Sequence, residues 1–125
     1  MASKANFIIV KPLISRVTFL QSLVEQFPEL ASDVLDKDYI GLIHLQVGLM
    51  ARYANQLIEQ ARFDTLERLF NFFQNTVDKV GSLTENALYV SFLEYVEMSG
   101  DAEKSKAAQK LLQPKYLQIW CELQG

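Results

Sequence analysis

One histidine, His44, and one cysteine, Cys121, are the residues of this 125-residue chain whose side chains most readily act as base, nucleophile or soft metal ligand. His44 lies in Ile43-His44-Leu45, inside an apolar run. No cysteine or carboxylate stands three or four residues away, where a helical metal site or a base–acid pair would place one. It therefore reads as a core or interface histidine with a hydrogen-bond partner. Cys121 follows Trp120 with no basic neighbour in sequence and reads as a buried, unreactive thiol. The carboxylates hold more interest. Glu94, in Phe92-Leu93-Glu94-Tyr95-Val96, must either face a solvated edge or meet a base or hydroxyl such as Arg52, Tyr53 or Tyr89, because an ionised carboxylate is costly to bury alone. Two carboxylates alone are a weak sign of acid–base catalysis, and no catalytic residues, metal ligands or cofactor site are assigned. As a binding surface the same residues are credible. Glu85, Glu94, Glu97, Asp101 and Glu103 gather acidic charge around one stretch of chain, with Tyr89 and Tyr95 as aromatic anchors, and Asp33, Asp36 and Asp38 add a second acidic segment.

The remaining chemical signatures are missing from the sequence. It has no glycine-rich phosphate loop, nucleophile elbow, HExxH, cysteine pair or calcium-loop spacing. A formal net charge of −3 provides no basic field for a phosphate backbone or an anionic membrane, so neither nucleic acid nor membrane is the expected partner. The single cysteine fits a reducing compartment. The apolar run Phe7–Val10 is too short for the hydrophobic region of a signal peptide, so a cytoplasmic location is expected.

These side chains need a scaffold, and the periodicities predict an all-α one. The expectation is a single helical domain over 1–125, an irregular bundle of about five to six helices with antiparallel helical hairpins and a repeat-like core, preceded by an extended arm at 1–11. Leu13, Val17, Leu20, Val24 and Phe27 predict a first helix at 13–27 that starts near Pro12 and is ended by Pro28. A short helical turn follows in 29–38. The apolar run after Asp38, its expected N-cap, predicts an enclosed helix over 39–61. Within it Gly41 and Gly48 share a face, which suggests close approach of another helix. Asp64 and Glu67 suggest a further N-terminal cap. After them Leu66, Leu69, Phe70, Phe73, Val77 and Val80 form the cleanest amphipathic stripe in the chain, with Phe72 off that stripe and expected at the surface. Gly81 reads as a left-handed C-cap and Ser82 with Glu85 as a capping box. The following run, 82–98, is apolar around its axis and predicts the central helix, closed by Gly100. Asp101 should cap a short helix, and Pro114 should open the last.

Several segments together resemble a known group. Phe27-Pro28-Glu29-Leu30, Phe63-Asp64 leading into Leu66-Glu67-Arg68-Leu69-Phe70, the run Asn86 to Glu94, and Leu111-Leu112-Gln113-Pro114-Lys115 followed by Trp120 resemble small all-helical bacterial proteins. Several of these in turn resemble immunity proteins of interbacterial toxin systems. The resemblance spans residues 13–121 and implies a protein that binds and neutralises a cognate secreted toxin or effector domain inside the producing cell. The competing expectation is a non-catalytic helical scaffold or adaptor for a cellular protein. An enzyme using Glu94 with His44 is the third, and it requires a deep pocket that brings the two together.

Overall fold

The computed structural model describes residues 13–125, and the arm expected at 1–11 lies outside the described residues. Among the described residues the architecture is an all-α bundle: α1 (Arg16–Gln26), α2 (Ala31–Val34), α3 (Ile43–Glu59), α4 (Phe63–Thr76), α5 (Ser82–Ala87), α6 (Glu103–Gln109) and α7 (Pro114–Leu123). A 3₁₀ turn, Pro28–Leu30, leads into α2. Beyond α5 the chain widens into a π-helical stretch, Leu88–Phe92, tightens into a 3₁₀ turn, Leu93–Tyr95, and then becomes extended at Val96.

The local starts and stops differ from the sequence expectations in instructive ways. α1 begins only at Arg16, because Ser15 is its N-cap and its hydroxyl accepts from the Thr18 N–H at 3.1 Å. Its buried face is Phe19, Leu20 and Leu23, so Leu13 and Val17 of the predicted stripe are exposed. The second long helix starts at Ile43 instead of residue 39. Gly41 has φ +84°, which α-helix cannot contain, and Asp38 caps nothing there but donates its N–H to Asp36 Oδ1 at 2.8 Å. A Cβ built on Gly41 or Gly48 would meet no atom within 4 Å, so neither glycine marks a close helix approach.

α3 ends at Glu59, and Ala61 adopts a left-handed φ of +54°. That turn places Phe63 at the start of α4, with Asp64 in its first turn rather than at its cap; a carboxylate there still favours the helix dipole. Gly81 is extended (φ −68°, ψ 165°) and is the N-cap of α5, so Ser82 is the first helical residue and its side chain makes no capping bond. Gly100 is left-handed at φ +90°, but helical structure has already ended at Tyr95. Ala102, not Asp101, precedes α6. Pro114 does open α7, where its missing N–H costs no hydrogen bond.

The core explains these choices. α4 presents aromatic side chains to two sides: Phe73 packs on Phe92, Tyr89 and Tyr116 at ring separations of 5.2, 6.0 and 5.3 Å, while Phe72 reaches Phe19 and Phe27 at 5.4 and 6.2 Å. Phe72 is therefore buried, against expectation, because α1 covers the flank of α4 that a single stripe would leave wet. Around it lie Leu23, Leu57, Leu66, Leu69, Leu88 and Leu93, all with no measurable exposure. α3 crosses the 88–92 stretch closely enough to bury Val47, Met50, Ala51 and Ala54. No helix among the described residues is long and apolar enough to cross a membrane.

Candidate functional site

Between α3 and the irregular chain at 91–97 runs a polar furrow. Its upper part, about 650 Å³, is lined by His44, Arg52, Asn55, Glu59, Ser91, Tyr95 and Glu97 among others. A second cavity of about 780 Å³ shares Asn55, Glu59, Tyr95 and Glu97 with it and continues to Glu94, Lys104 and Gln124. α3 supplies one wall because its buried stripe faces the core and leaves Arg52, Asn55, Gln56 and Glu59 on the opposite side.

The other wall is backbone held by side chains. Once helical hydrogen bonding stops at Tyr95, the peptide groups there need other partners. Asn55 supplies two of them, donating Nδ2 to the Tyr95 carbonyl at 2.9 Å and accepting the Glu97 N–H at 2.8 Å. Trp120 Nε1 donates to the Val96 carbonyl at 2.9 Å, Gln109 Nε2 to the Met98 carbonyl at 2.5 Å, and Gln124 Nε2 to the Glu94 carbonyl at 2.9 Å. Val96 and Met98 are thereby turned inward and buried, which leaves Tyr95 and Glu97 exposed in the furrow. Lys104 closes its lower end by donating to the Glu59 carbonyl at 2.7 Å.

At the upper end His44 Nδ1 lies 2.7 Å from Ser91 Oγ. Ser91 belongs to the π-helical stretch, a local widening often found where a side chain has been re-aimed. His44 is exposed rather than enclosed, and its hydrogen-bond partner comes from the far side of the furrow. A Ser–His contact is the start of a nucleophile–base pair, but a working pair also needs a group that orients the imidazole and donors for an oxyanion. Among the described residues His44 has no hydrogen bond other than that to Ser91. Glu94 lines the lower cavity, so the pairing of Glu94 with His44 that an enzyme would use is not formed.

The predicted acidic residues are distributed over several places. Glu94 and Glu97 meet in the furrow, joined by Glu59, which the sequence did not single out; Glu94 is half-buried and Glu97 exposed. Asp101 and Glu103 are exposed and flank Ala102 at its lower end. Glu85 and Tyr89 lie instead on the α4–α7 side, where Tyr89 stands edge-on to Phe73. Burial, with Tyr116, Glu85 and Asp78 nearby, raises the Tyr89 hydroxyl above its ordinary range. The central helix expected over 82–98 would have run unbroken from Tyr89 to Glu97, but the chain changes helix type and then extends. Asp33 lines a separate cavity on the other flank of α3, and Asp36 and Asp38 lie in the exposed connector before α3.

Two further residues depart from expectation. Cys121 is exposed, because α7 buries Tyr116 and Trp120, and the next position points away from that face. Tyr53, one candidate partner for Glu94, instead donates a hydrogen bond to Glu29. Burial and that carboxylate push the Tyr53 hydroxyl up to about 12, and the tyrosine bond, assisted by Arg62 and Arg68, lowers Glu29. Among the described residues no group of three or more His, Cys, Asp or Glu side chains is placed to hold a metal ion. The residues missed from sequence, Ser91, Asn55, Glu59 and Gln124, carry no local signature; the one visible hint is that Arg52, Asn55, Gln56 and Glu59 are polar positions late in an otherwise apolar run.

Comparison with known proteins gives one family. The model of a domain of unknown function, DUF7674, matches residues 20–125. No curated protein and no solved structure matches the chain.

Proposed function

The chain belongs to the DUF7674 family, and from that starting point we propose that it is a non-catalytic immunity protein, which binds and neutralises a cognate secreted toxin domain in the cytosol of the producing cell. The observation that carries this reading is the furrow itself: Tyr95, 62% exposed on a backbone pinned by four side chains, stands beside Glu59, Glu94 and Glu97. An exposed aromatic residue on a held backbone, flanked by carboxylates, suits a protein-binding hot spot, since the backbone has little conformational freedom left to lose on docking. A complex of ordinary affinity and specificity buries on the order of 1,600 Å² in total, so the furrow would form the centre of a larger contact that takes in Asp101 and Glu103. Acidic groups there suit a basic toxin surface, such as one that engages nucleic acid. The sequence segments that resemble small all-helical bacterial proteins, several of which resemble immunity proteins, support the same reading.

The experiment is affinity purification of the tagged chain from its host, grown so that secretion systems are expressed, with partners identified by mass spectrometry. Recovery of a toxin domain that is lost when Glu94, Glu97 or Asp101 is changed to Lys is the expected result. Recovery of an ordinary cellular protein alone would replace the immunity reading with that of a helical scaffold or adaptor.

A further inference from the structure

A second surface lies at the connector between α2 and α3. Leu35, Ile40, Leu42 and Leu45 are 49, 65, 48 and 53% exposed, and all fall within eleven residues. Single exposed aliphatic residues are common on proteins; a run of them on an ordered segment is not. This segment is ordered by successive turns: the Tyr39 N–H donates to the Asp36 carbonyl and the Leu42 N–H to the Tyr39 carbonyl, each at 2.9 Å, and the left-handed Gly41 lies between them. Gln46, buried on α3, ties the connector's start by donating Nε2 to the Val34 carbonyl at 2.9 Å. The aliphatic side chains are thus held outward by a fixed backbone.

Charge decides what covers them. Residues 29–45 contain Glu29, Asp33, Asp36 and Asp38 against Lys37, a net −3, which equals the formal charge of the whole chain and leaves the rest balanced. All four are exposed residues; Glu29 is engaged by Tyr53 with Arg62 and Arg68 nearby, which leaves Asp33, Asp36 and Asp38 as the acidic rim of the connector. A second copy docking here would oppose the same acidic rim to itself, and an anionic membrane would be repelled. We propose that Leu35, Ile40, Leu42 and Leu45 with their acidic rim form a docking surface for an amphipathic helix of a partner protein, with an aliphatic face bordered by Lys and Arg. Such a helix lays its apolar side on the leucines and isoleucine and pairs its cations with Asp33, Asp36 and Asp38. The inference rests on the proposed function only in taking the partner to be a protein; the surface is tested without it.

The probe is a fluorescein-labelled synthetic Leu/Lys amphipathic helix, titrated with the full chain and followed by fluorescence anisotropy. Saturable binding is expected, weakened at least about tenfold by Ile40→Ser with Leu42→Ser, and by Asp33→Lys with Asp38→Lys, which spares the Asp36 carboxylate that holds the turn. Glu67→Lys, a reversal on exposed α4 surface, should leave affinity within about twofold, and a Leu/Glu peptide of the same apolar face should not bind. Unchanged binding in both connector variants overturns the proposal. So does a concentration-dependent dimer in sedimentation velocity that Ile40→Ser with Leu42→Ser abolishes, because the covering partner is then a second copy. Peptide binding that follows the connector variants supports the surface whatever the affinity purification recovers, and a recovered toxin with no peptide binding rejects the surface alone.

Discussion

α4 and the stretch that follows it, 82–100, are both rich in apolar residues and pack against each other through Phe70, Phe73 and Phe92, yet they are ordered by different physics. In α4 the interior peptide groups are satisfied within the helix, and Leu66, Leu69, Phe70 and Phe73 fall on one side because 3.6 residues make a turn. From 82 to 100 the chain passes through α, π, 3₁₀ and extended conformations, and its carbonyls at 94, 95, 96 and 98 are satisfied by Gln124, Asn55, Trp120 and Gln109. Apolar content alone therefore does not make a helix continue. Where neighbouring elements offer side-chain donors at the right places, an extended segment loses little by leaving the helix, and it gains burial of Val96 and Met98.

The contrast predicts a graded set of responses. Phe73→Ala should be the most damaging, costing about 3–5 kcal/mol in urea denaturation, because the ring is fully buried among three aromatic neighbours; both regions should loosen together. Asn55→Ala should cost about 1–3 kcal/mol and act locally, with amide exchange accelerated at Tyr95–Met98 while α4 stays protected. Equal acceleration in both regions would show that the two are one cooperative unit. Trp120→Phe, which removes the bond to the Val96 carbonyl together with part of the buried indole, should cost about 1–2 kcal/mol by the same assay.

The smallest effects concern Tyr53 and Glu29, outside both regions. The folded state holds the Tyr53 proton up to about pH 12, whereas an unfolded tyrosine releases it near 10, so stability from this group is complete below pH 10 and is lost as pH rises to 12. Glu29 behaves oppositely: its lowered value means that its contribution is present above the usual carboxylate range and disappears as pH falls through the folded value. Tyr53→Phe should flatten the alkaline limb of a melting-temperature profile and weaken the acid limb as well. A Tyr53→Phe profile that parallels the unaltered chain at both ends would remove the pair from any account of pH dependence.

How much of this was legible in the residues follows the same division. The α4 stripe and the Pro114 start of α7 were readable because each depends on neighbours within a turn of helix. The start of α3 was misplaced because apolar Tyr39, Ile40 and Leu42 continue a helical pattern that Gly41 interrupts by its backbone angle. Glu94 and Glu97 line one cavity, whereas Glu85 and Tyr89 were grouped with them only by assuming an unbroken helix.

What the sequence determined by itself was the all-α class and the regular helices, since hydrophobic period, proline position and charge are local properties of the chain. The tertiary structure decided the furrow. Its contacts join residues far apart in sequence, His44 with Ser91 and Asn55 with Tyr95 and Glu97, and a hydrogen bond across forty or more positions leaves no period in the chain. It also decided where the central helix stops, because the donors that make stopping favourable come from α3, α6, α7 and Gln124, the residue directly after α7.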